Sequence, residues 1–313
     1  MTPMDQRKLG NLALIAVACA WGTMIPVISH LAKTWDPFFL GALRYVGGVP
    51  LLYAALWLRE GFARPTVRPA VWRALIPGWL GLAGFAFIFT IGVAHSNPVI
   101  AAVLGAANPV IAAVIGGVFF RIPFDRRLTP AVILAVIGCA MASIDWSNLS
   151  LELRGGEPLV LIASSLWAWY SIAIHRWLDG WSQLRKAANT MAHGAVPLIV
   201  GYFLARELGW AQAVPAVPTG WDLAIFVWVI AGVVVIGLLL WNFGVAKTSL
   251  VIASLYTNLV PVIAVTLLAV GGEAPTLAQI GGGALVIGGV AWSEWRLLRG
   301  RAAAERSLTA PDQ

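Results

Sequence analysis

The sequence is short of charged residues. Asp, Glu, Lys and Arg together make up 11% of its 313 residues, whereas a soluble domain carries roughly 25%. So little charge cannot cover a water-facing surface of this size, and 59% of the residues are hydrophobic. The composition therefore excludes an ordinary soluble protein and indicates a chain that is largely surrounded by lipid.

Residues for catalysis are also missing from the apolar runs. The only cysteines, Cys19 and Cys139, lie inside such runs and offer neither a disulfide framework nor metal-ligand spacing. No Asp or Glu lies deep in an apolar run, and no nucleophile is paired with a base there. We therefore expect no enzyme, no catalytic residue, no cofactor and no metal. Intramembrane carboxylates usually carry protons in pumps. A proton-coupled process in this chain would therefore have to use histidine, and the alternative is a process without proton coupling.

What the sequence does contain is long apolar runs. About 20 apolar residues cross a bilayer as a helix, and such runs recur along the whole chain. We predict ten spans, near residues 10–32, 37–58, 72–94, 97–120, 128–144, 157–178, 187–208, 221–243, 249–270 and 276–297. The expected fold is an all-α polytopic membrane protein.

The basic residues give the spans an orientation. When the 21 Lys and Arg are sorted by alternate connections, 17 fall on one side and only Lys33, Arg154 and Arg206 on the other, with Arg44 inside a span. Positively charged connections stay in the cytoplasm, so we predict that both termini are cytoplasmic. This pattern also accounts for the net charge of +7, and we expect the lipid bilayer, not nucleic acid, as the partner.

One segment occurs twice. Residues 92–112, GVAHSNPVIAAVLGAANPVIA, match residues 244–264, GVAKTSLVIASLYTNLVPVIA, at ten of 21 positions and a constant offset of 152. We expect residues 1–150 to form a first five-helix repeat and residues 151–313 a second one with a short cytoplasmic tail. Because five is odd, the second repeat must enter the membrane from the opposite side. Inverted repeats of this kind are typical of secondary transporters with a central site.

Each copy of the segment places a proline near mid-span. Pro109 and Pro261 lack an N–H group and crowd the carbonyl four residues earlier, on Gly105 and Thr257. Freed carbonyls in hydrocarbon need a partner from protein, water or substrate, and interrupted helices in matching positions indicate a transporter's binding site. The alternative is a packing kink. Pro26 and Pro197 are further candidate kinks in the first and seventh spans.

Several motifs resemble those of a known family. Ala20-Trp21-Gly22, Arg44-Tyr45 and the pattern V-I-A-x7-P-V-I-A in both halves resemble the drug/metabolite transporter superfamily, and within it the ten-helix EamA-type exporters. The chain looks most similar to the bacterial aromatic amino acid exporters of that group.

The resemblance implies helices arranged around a central cavity. It also implies alternating-access export of amino acids, aromatic ones foremost, from cytoplasm to periplasm across the bacterial inner membrane. An exporter of drugs or flat organic cations such as methyl viologen is the alternative. The substrate is a small molecule in both cases, and the oligomeric state stays open, a monomer being compatible.

Polar and aromatic residues within the spans are the candidate cavity residues. Arg44 could hold a substrate carboxylate, or it could reach outward or cap freed carbonyls. Trp167 and Trp169 point about 200° apart on one helix and cannot both face a cavity; aromatic packing between helices is the alternative for the whole group. The predicted lining set is Trp21, Thr23, Arg44, Asn108, Trp167, Trp169, Tyr170, His193, Trp241, Asn242, Tyr256 and Asn258.

Overall fold

Helices account for all regular structure in the described part of the chain. The computed structural model describes residues 3–31, 35–61, 68–96, 104–143, 153–212, 220–270 and 274–309. The helices are α1 Pro3–Gly22, α2 Met24–Leu31, α3 Pro37–Glu60, α4 Trp72–Ile76, α5 Phe85–Ala94, α6 Asn108–Phe120, α7 Thr129–Ser143, α8 Glu157–Trp177, α9 Gln183–Glu207, α10 Gly220–Trp228, α11 Gly237–Lys247, α12 Leu250–Thr257, α13 Leu259–Val270 and α14 Leu277–Thr309.

These helices follow the ten predicted spans. In the described residues, α1–α2, α4–α5, α10–α11 and α12–α13 each form one interrupted span, and the other helices form one span each. Five segments are long and apolar enough to cross a bilayer: Phe38–Glu60, Trp72–Gly92, Glu157–Trp177, Gly220–Lys247 and Leu250–Leu267. The predicted polytopic all-α fold is confirmed, while the start of the fourth span, residues 97–103, lies outside the described residues.

The internal repeat is visible in an unusual backbone feature. The third span contains an eight-residue π-helix, Pro77–Gly84, and the eighth contains another, Val229–Ile236. Their starting points are 152 residues apart, the same offset as in the repeated segment. Because π-helical turns are rare and concentrate at functional sites, this coincidence supports the structural equivalence of the two spans.

Close helix crossings show that the repeats are inverted. A Cβ atom built on Gly138 of α7 would lie 2.5 Å from the Gly282 carbonyl oxygen of α14, and one on Gly289 would lie 3.2 Å from the Ala135 nitrogen. A later residue of α7 therefore meets an earlier residue of α14, so these equivalent fifth helices run antiparallel. Their backbones approach this closely because glycine has no side chain. The predicted fold of two inverted repeats is thus confirmed, with α1–α7 predicted to form the first repeat and α8–α14 the second.

Other contacts between the repeats follow the same two-fold relation. Helix α1 packs against α11 with Gly10 beside Lys247 and Trp21 beside Gly237, so this pair is also antiparallel. The equivalent helices α8 and α5 pack against each other in turn. The second helices of the two repeats, α3 and α9, meet directly. Helix α6, which follows the break in the fourth span, packs against α12, which precedes the break in the ninth. Each repeat therefore completes its packing on the other, and the middle of the bundle lies on the axis between them.

Candidate functional site

The fourth and ninth spans are broken next to the repeated prolines. A turn at Ala107 precedes α6, whose second residue is Pro109, and a turn at Asn258 separates α12 from α13, whose third residue is Pro261. The buried Asn258 amide donates a hydrogen bond of 3.1 Å to the Ala106 carbonyl. The sequence predicted a freed carbonyl on Gly105, whereas the carbonyl that accepts this hydrogen bond belongs to the next residue, Ala106. Ala106 and Asn258 are 152 residues apart, so equivalent positions of the two repeats meet on the axis.

A second equivalent pair meets at the same axis. The rings of Trp21 in the first span and Trp167 in the corresponding sixth span have centroids 5.8 Å apart. Trp241 lies 5.4 Å from Trp21 and 5.9 Å from Trp167. Tyr170 is 5.5 Å from Trp167 and fully buried. We call Trp21, Trp167, Tyr170 and Trp241 the axial aromatic cluster; all four were predicted to line the site, and their rings fill the space between the repeats.

Sequence reasoning missed one side of this cluster. Phe85 packs on Trp167 at 5.1 Å and on Phe89 at 5.3 Å. Phe85 and Phe89 precede Gly237 and Trp241 by 152 residues. The repeat offset could therefore have identified Phe89 as the counterpart of the predicted Trp241.

Some polar atoms around the cluster have hydrogen-bond partners and others have none. The Trp21 indole N–H donates to the Val233 carbonyl of the second π-helix at 3.2 Å, and the Trp241 indole N–H donates to the Ser171 hydroxyl at 3.0 Å. Asn242 is different, because its side chain is fully buried and neither its amide oxygen nor its amide nitrogen has a hydrogen-bond partner.

The Tyr170 hydroxyl is the polar group near the Asn242 amide, but it makes no well-formed hydrogen bond to it. It instead pairs with the Thr190 hydroxyl at 3.1 Å. A buried amide without a partner is costly. Asn242 is therefore a buried polar group beside the axial aromatic cluster that could bind a ligand.

Arg44 has no anionic partner in the described part of the chain. One terminal nitrogen of its guanidinium lies 3.6 Å from the Met24 sulfur, and its buried Nε atom has no hydrogen-bond partner. The charged group also lies 5.4 Å from the centre of the Tyr45 ring. Rings and sulfur satisfy a guanidinium poorly compared with a carboxylate, so Arg44 can accept an anionic group.

The structure places the other predicted residues outside the cluster. Thr23 donates to the Ala20 carbonyl at 2.7 Å and accepts from the Trp228 indole at 2.9 Å. Trp169 packs edge-on against Trp177 at 5.2 Å, on another side of α8 from Trp167. His193 is half-buried and its Cβ lies beside Gly78 of the first π-helix.

The remaining predicted residues have simpler surroundings. Tyr256 is buried in the apolar core that also contains Trp241. Asn108 is half-buried at the start of α6. Pro26 lies within α2, and Pro197 lies within α9, which continues past it as one helix. Their roles as lining or kink residues stay predictions.

Polar contacts join the two repeats at both ends of the bundle. At the end predicted to face the periplasm, His30 of α2 lies 2.9 Å from Asp222 of α10. At the opposite end, the Arg185 Nε atom of α9 donates to Glu60 of α3 at 2.9 Å. The axial aromatic cluster lies between these two contacts.

Comparison with known proteins identifies the family. The EamA-like transporter family matches the chain twice, over residues 8–144 and 154–294. The uncharacterized transporter YyaM of Bacillus subtilis is 24% identical over 89% of this chain and 91% of its own length. The uncharacterized inner membrane transporter YedA of Escherichia coli K12 is 27% identical over 86% and 84%. A solved crystal structure superposes with a TM-score of 0.78 at 20% identity, covering 94% of this chain and 98% of that one, which concerns the fold alone. The chain is therefore a multi-pass membrane transporter and belongs to the EamA-like transporter family.

Proposed function

We propose that this transporter exports amino acids, aromatic ones foremost, from the cytoplasm to the periplasm by alternating access. The axial aromatic cluster is the main support, because Trp21, Trp167 and Trp241 meet where the two repeats face each other. Binding sites of inverted-repeat transporters lie at this position. Indole rings stack well on a flat apolar side chain, at about 0.5–1.5 kcal/mol per pair beyond the area buried.

The unsatisfied polar groups fit the backbone of an amino acid. Asn242 offers one acceptor and two donors, and Arg44 offers a guanidinium without a carboxylate in the described residues. A zwitterion supplies a carboxylate for Arg44 and an ammonium group for the Asn242 oxygen. Arg44 lies roughly 10 Å from the predicted periplasmic end of α3 at 1.5 Å per residue. The substrate would therefore contact it late in the export cycle.

A flat organic cation is the competing substrate. The same rings attract a cation over their faces. However, the contacts described for the axial aromatic cluster include no carboxylate. A permanent dication such as methyl viologen would lose its hydration there without gaining a counter-charge, which is costly in a buried site. The charges of a zwitterion partly compensate each other.

Alternating access assigns opposite roles to the two end contacts. The His30–Asp222 pair must separate when the site opens to the periplasm, and the Glu60–Arg185 pair must separate when it opens to the cytoplasm. Each pair joins one repeat to the other, so the repeats can rock about the axial aromatic cluster. Both contacts are formed in this structure.

Uptake into proteoliposomes tests the proposal. All twenty amino acids and methyl viologen would be screened as radiolabelled substrates, with and without a pH gradient. We expect phenylalanine, tyrosine or tryptophan to be taken up fastest. Equal uptake rates with and without the pH gradient would exclude coupling of transport to protons. Uptake of methyl viologen alone would replace amino acids by organic cations as the substrate.

Two variants connect the activity to the site. Asn242→Leu keeps the approximate shape of the side chain but removes the amide. We expect this variant to raise the substrate concentration at half-maximal rate about tenfold. A tenfold change corresponds to the loss of one hydrogen bond of about 1.4 kcal/mol. Asn189→Leu is the matched control, because Asn189 is half-buried on α9 away from the axial aromatic cluster. Its amide donates to the Arg185 carbonyl of its own helix and accepts from the Tyr53 hydroxyl of α3 at 3.4 Å. Equal kinetics in all three proteins would exclude Asn242 from substrate recognition.

A further inference from the structure

A deep groove opens on the outer surface of the bundle between α6 and α7. It has a volume of about 420 Å³ and is lined by Pro109, Val110, Ala113, Val114, Phe124, Thr129, Val132 and Ile133. Apart from the Thr129 side chain, these lining side chains are apolar. Val110, Val114 and Ile133 are 45%, 55% and 51% exposed, so the groove faces the lipid and not the axis between the repeats.

The groove has the depth of one membrane leaflet. Its lining residues on α6 run from Pro109, near mid-span, to Val114, while Phe124 in the connection beyond the end of α6 and Thr129 at the start of α7 also line it. From Pro109 to Phe120, where that connection begins, there are eleven residue steps, which correspond to about 16 Å at 1.5 Å per residue. Half of a hydrocarbon core of about 30 Å is about 15 Å. A single acyl chain entering from the membrane surface would therefore reach the break at Pro109.

Three arginines surround the surface end of the groove. Arg121 follows α6, and Arg126 and Arg127 form the short 3₁₀ turn that leads into α7; all three are exposed. The one acidic residue among them, Asp125, uses its carboxylate to accept the backbone N–H of Arg127 at 3.0 Å. This end of the bundle carries most of the basic residues and is predicted to face the cytoplasm. Arginine binds phosphate oxygens in pairs of hydrogen bonds.

The backbone of Arg121 adds an independent observation. Arg121 adopts the left-handed conformation with φ 54° and ψ 36°, and it is the only residue other than glycine with a positive φ in the described part of the chain. Glycine is the usual residue at this position after a helix, and any other residue costs about 1 kcal/mol. Strain of this kind concentrates at sites with a function. The local fold alone would favour glycine, so the guanidinium needs a separate explanation.

We infer that this groove is a binding site for an acidic phospholipid of the cytoplasmic leaflet. One acyl chain lies between α6 and α7, and the headgroup phosphate binds Arg121, Arg126 and Arg127. Each arginine near the membrane surface strengthens binding of an anionic lipid by about 1 kcal/mol, which is roughly fivefold in affinity. The inner end of the chain reaches Pro109, beside the broken helices that meet on the axis, so bound lipid acts on the region that must move during transport.

Native mass spectrometry of the purified full chain in detergent tests this site. Phosphatidylglycerol and phosphatidylcholine with identical acyl chains would be titrated in parallel. We expect phosphatidylglycerol to bind at least tenfold more tightly. Changing Arg121, Arg126 and Arg127 together to Gln should remove most of that preference. Equal binding of the two lipids by the unmodified protein would overturn the inference.

Matched controls separate this site from general surface charge. The first is a triple Gln variant of Arg59, Arg68 and Arg73, which are exposed at the same end of the bundle and should keep the preference. Arg121→Gly relieves the backbone strain, so it should keep or raise the thermal stability while weakening phosphatidylglycerol binding about fivefold. A preference lost equally in the control triple variant, or unchanged in Arg121→Gly, would contradict the assignment.

Filling the groove tests the acyl-chain part. Ala113→Trp should abolish retention of both lipids, whereas Val200→Trp, on the exposed side of α9, should leave it unchanged. A dimer that dissociates in Ala113→Trp would instead assign the groove to a second copy of the chain. Unchanged lipid retention in Ala113→Trp would place the lipid elsewhere.

Discussion

Removing one hydrogen bond should weaken the junction of the two repeats. The buried Asn258 amide donates to the Ala106 carbonyl at 3.1 Å. In the break before α6, the N–H groups of Val110 and Ile111 both bond to the Ala107 oxygen, at 2.9 and 3.0 Å, and so neither turns to Ala106. In Asn258→Leu, a side chain of similar size would leave the Ala106 carbonyl facing an apolar group in a region that excludes water.

The size of the effect follows from the burial of both groups. Leaving a buried acceptor unsatisfied costs about 1–3 kcal/mol, and hydrogen bonds between membrane helices contribute about 0.6–2 kcal/mol. We expect Asn258→Leu to lower the free energy of unfolding by about 1–2 kcal/mol. For a chain of this size each kcal/mol corresponds to about 2–4 °C in Tm, so Tm should fall by about 2–8 °C.

Tryptophan fluorescence during heating in detergent measures this shift, because 16 Trp residues report on the bundle. Asn189→Leu is the control, with an expected loss of about 0.5 kcal/mol or less for a site away from the core. The two-fold relation supplies a rescue: exchanging the residues, Ala106→Asn with Asn258→Ala, places the donor on the opposite repeat. We expect the exchange to recover at least half of the lost Tm. A wild-type Tm for Asn258→Leu would refute the reasoning.

Three further outcomes are expected. Pro109→Ala and Pro261→Ala should each reduce the transport rate more than the yield of folded protein, and normal efflux by a well-expressed double variant would contradict a role for the breaks. Gly138→Ala should destabilise the α7–α14 crossing by about 1–3 kcal/mol, since its Cβ would lie 2.5 Å from the Gly282 oxygen. Gly288 has open space around it, so Gly288→Ala should be tolerated. Equal melting temperatures of the two variants would argue against this packing. Tags on the two termini should both be accessible only from the cytoplasm, and a tag reached from the periplasm would reverse the predicted orientation.

The sequence predicted what depends on composition and offset. Apolar length identified the spans, because a helix must cover the full hydrocarbon thickness. The offset of 152 identified equivalent helices, and the odd number of spans in each repeat gave the inversion. The predicted lining set included Trp21, Trp167 and Asn258, which lie on or near the axis.

Side-chain direction could not be predicted in the same way. Helices that are apolar on every side have no periodicity to show which face points inward. The helical spacing predicted that Trp167 and Trp169 could not both face the site, but not that Trp169 is the one that packs elsewhere, against Trp177. The π-helices were missed because their sequences, PGWLGLAG and VIAGVVVI, share no pattern that differs from an ordinary apolar helix. The partner of Asn258 depended on how two distant breaks come together.

Differences between the repeats mark the centre of the bundle better than their identities do. The ten identical positions include the prolines and small residues that set the helix path. At the axis, by contrast, Ala106 of the first repeat contacts Asn258 of the second. The residues equivalent to Trp241 and Asn242 in the first repeat are Phe89 and Thr90. An amino acid has no two-fold symmetry, so a site on a two-fold axis can orient it only where the repeats differ. If the proposed function holds, the unpaired amide of Asn242 is the most informative of these differences, because the first repeat has no equivalent amide to compete for the same substrate group.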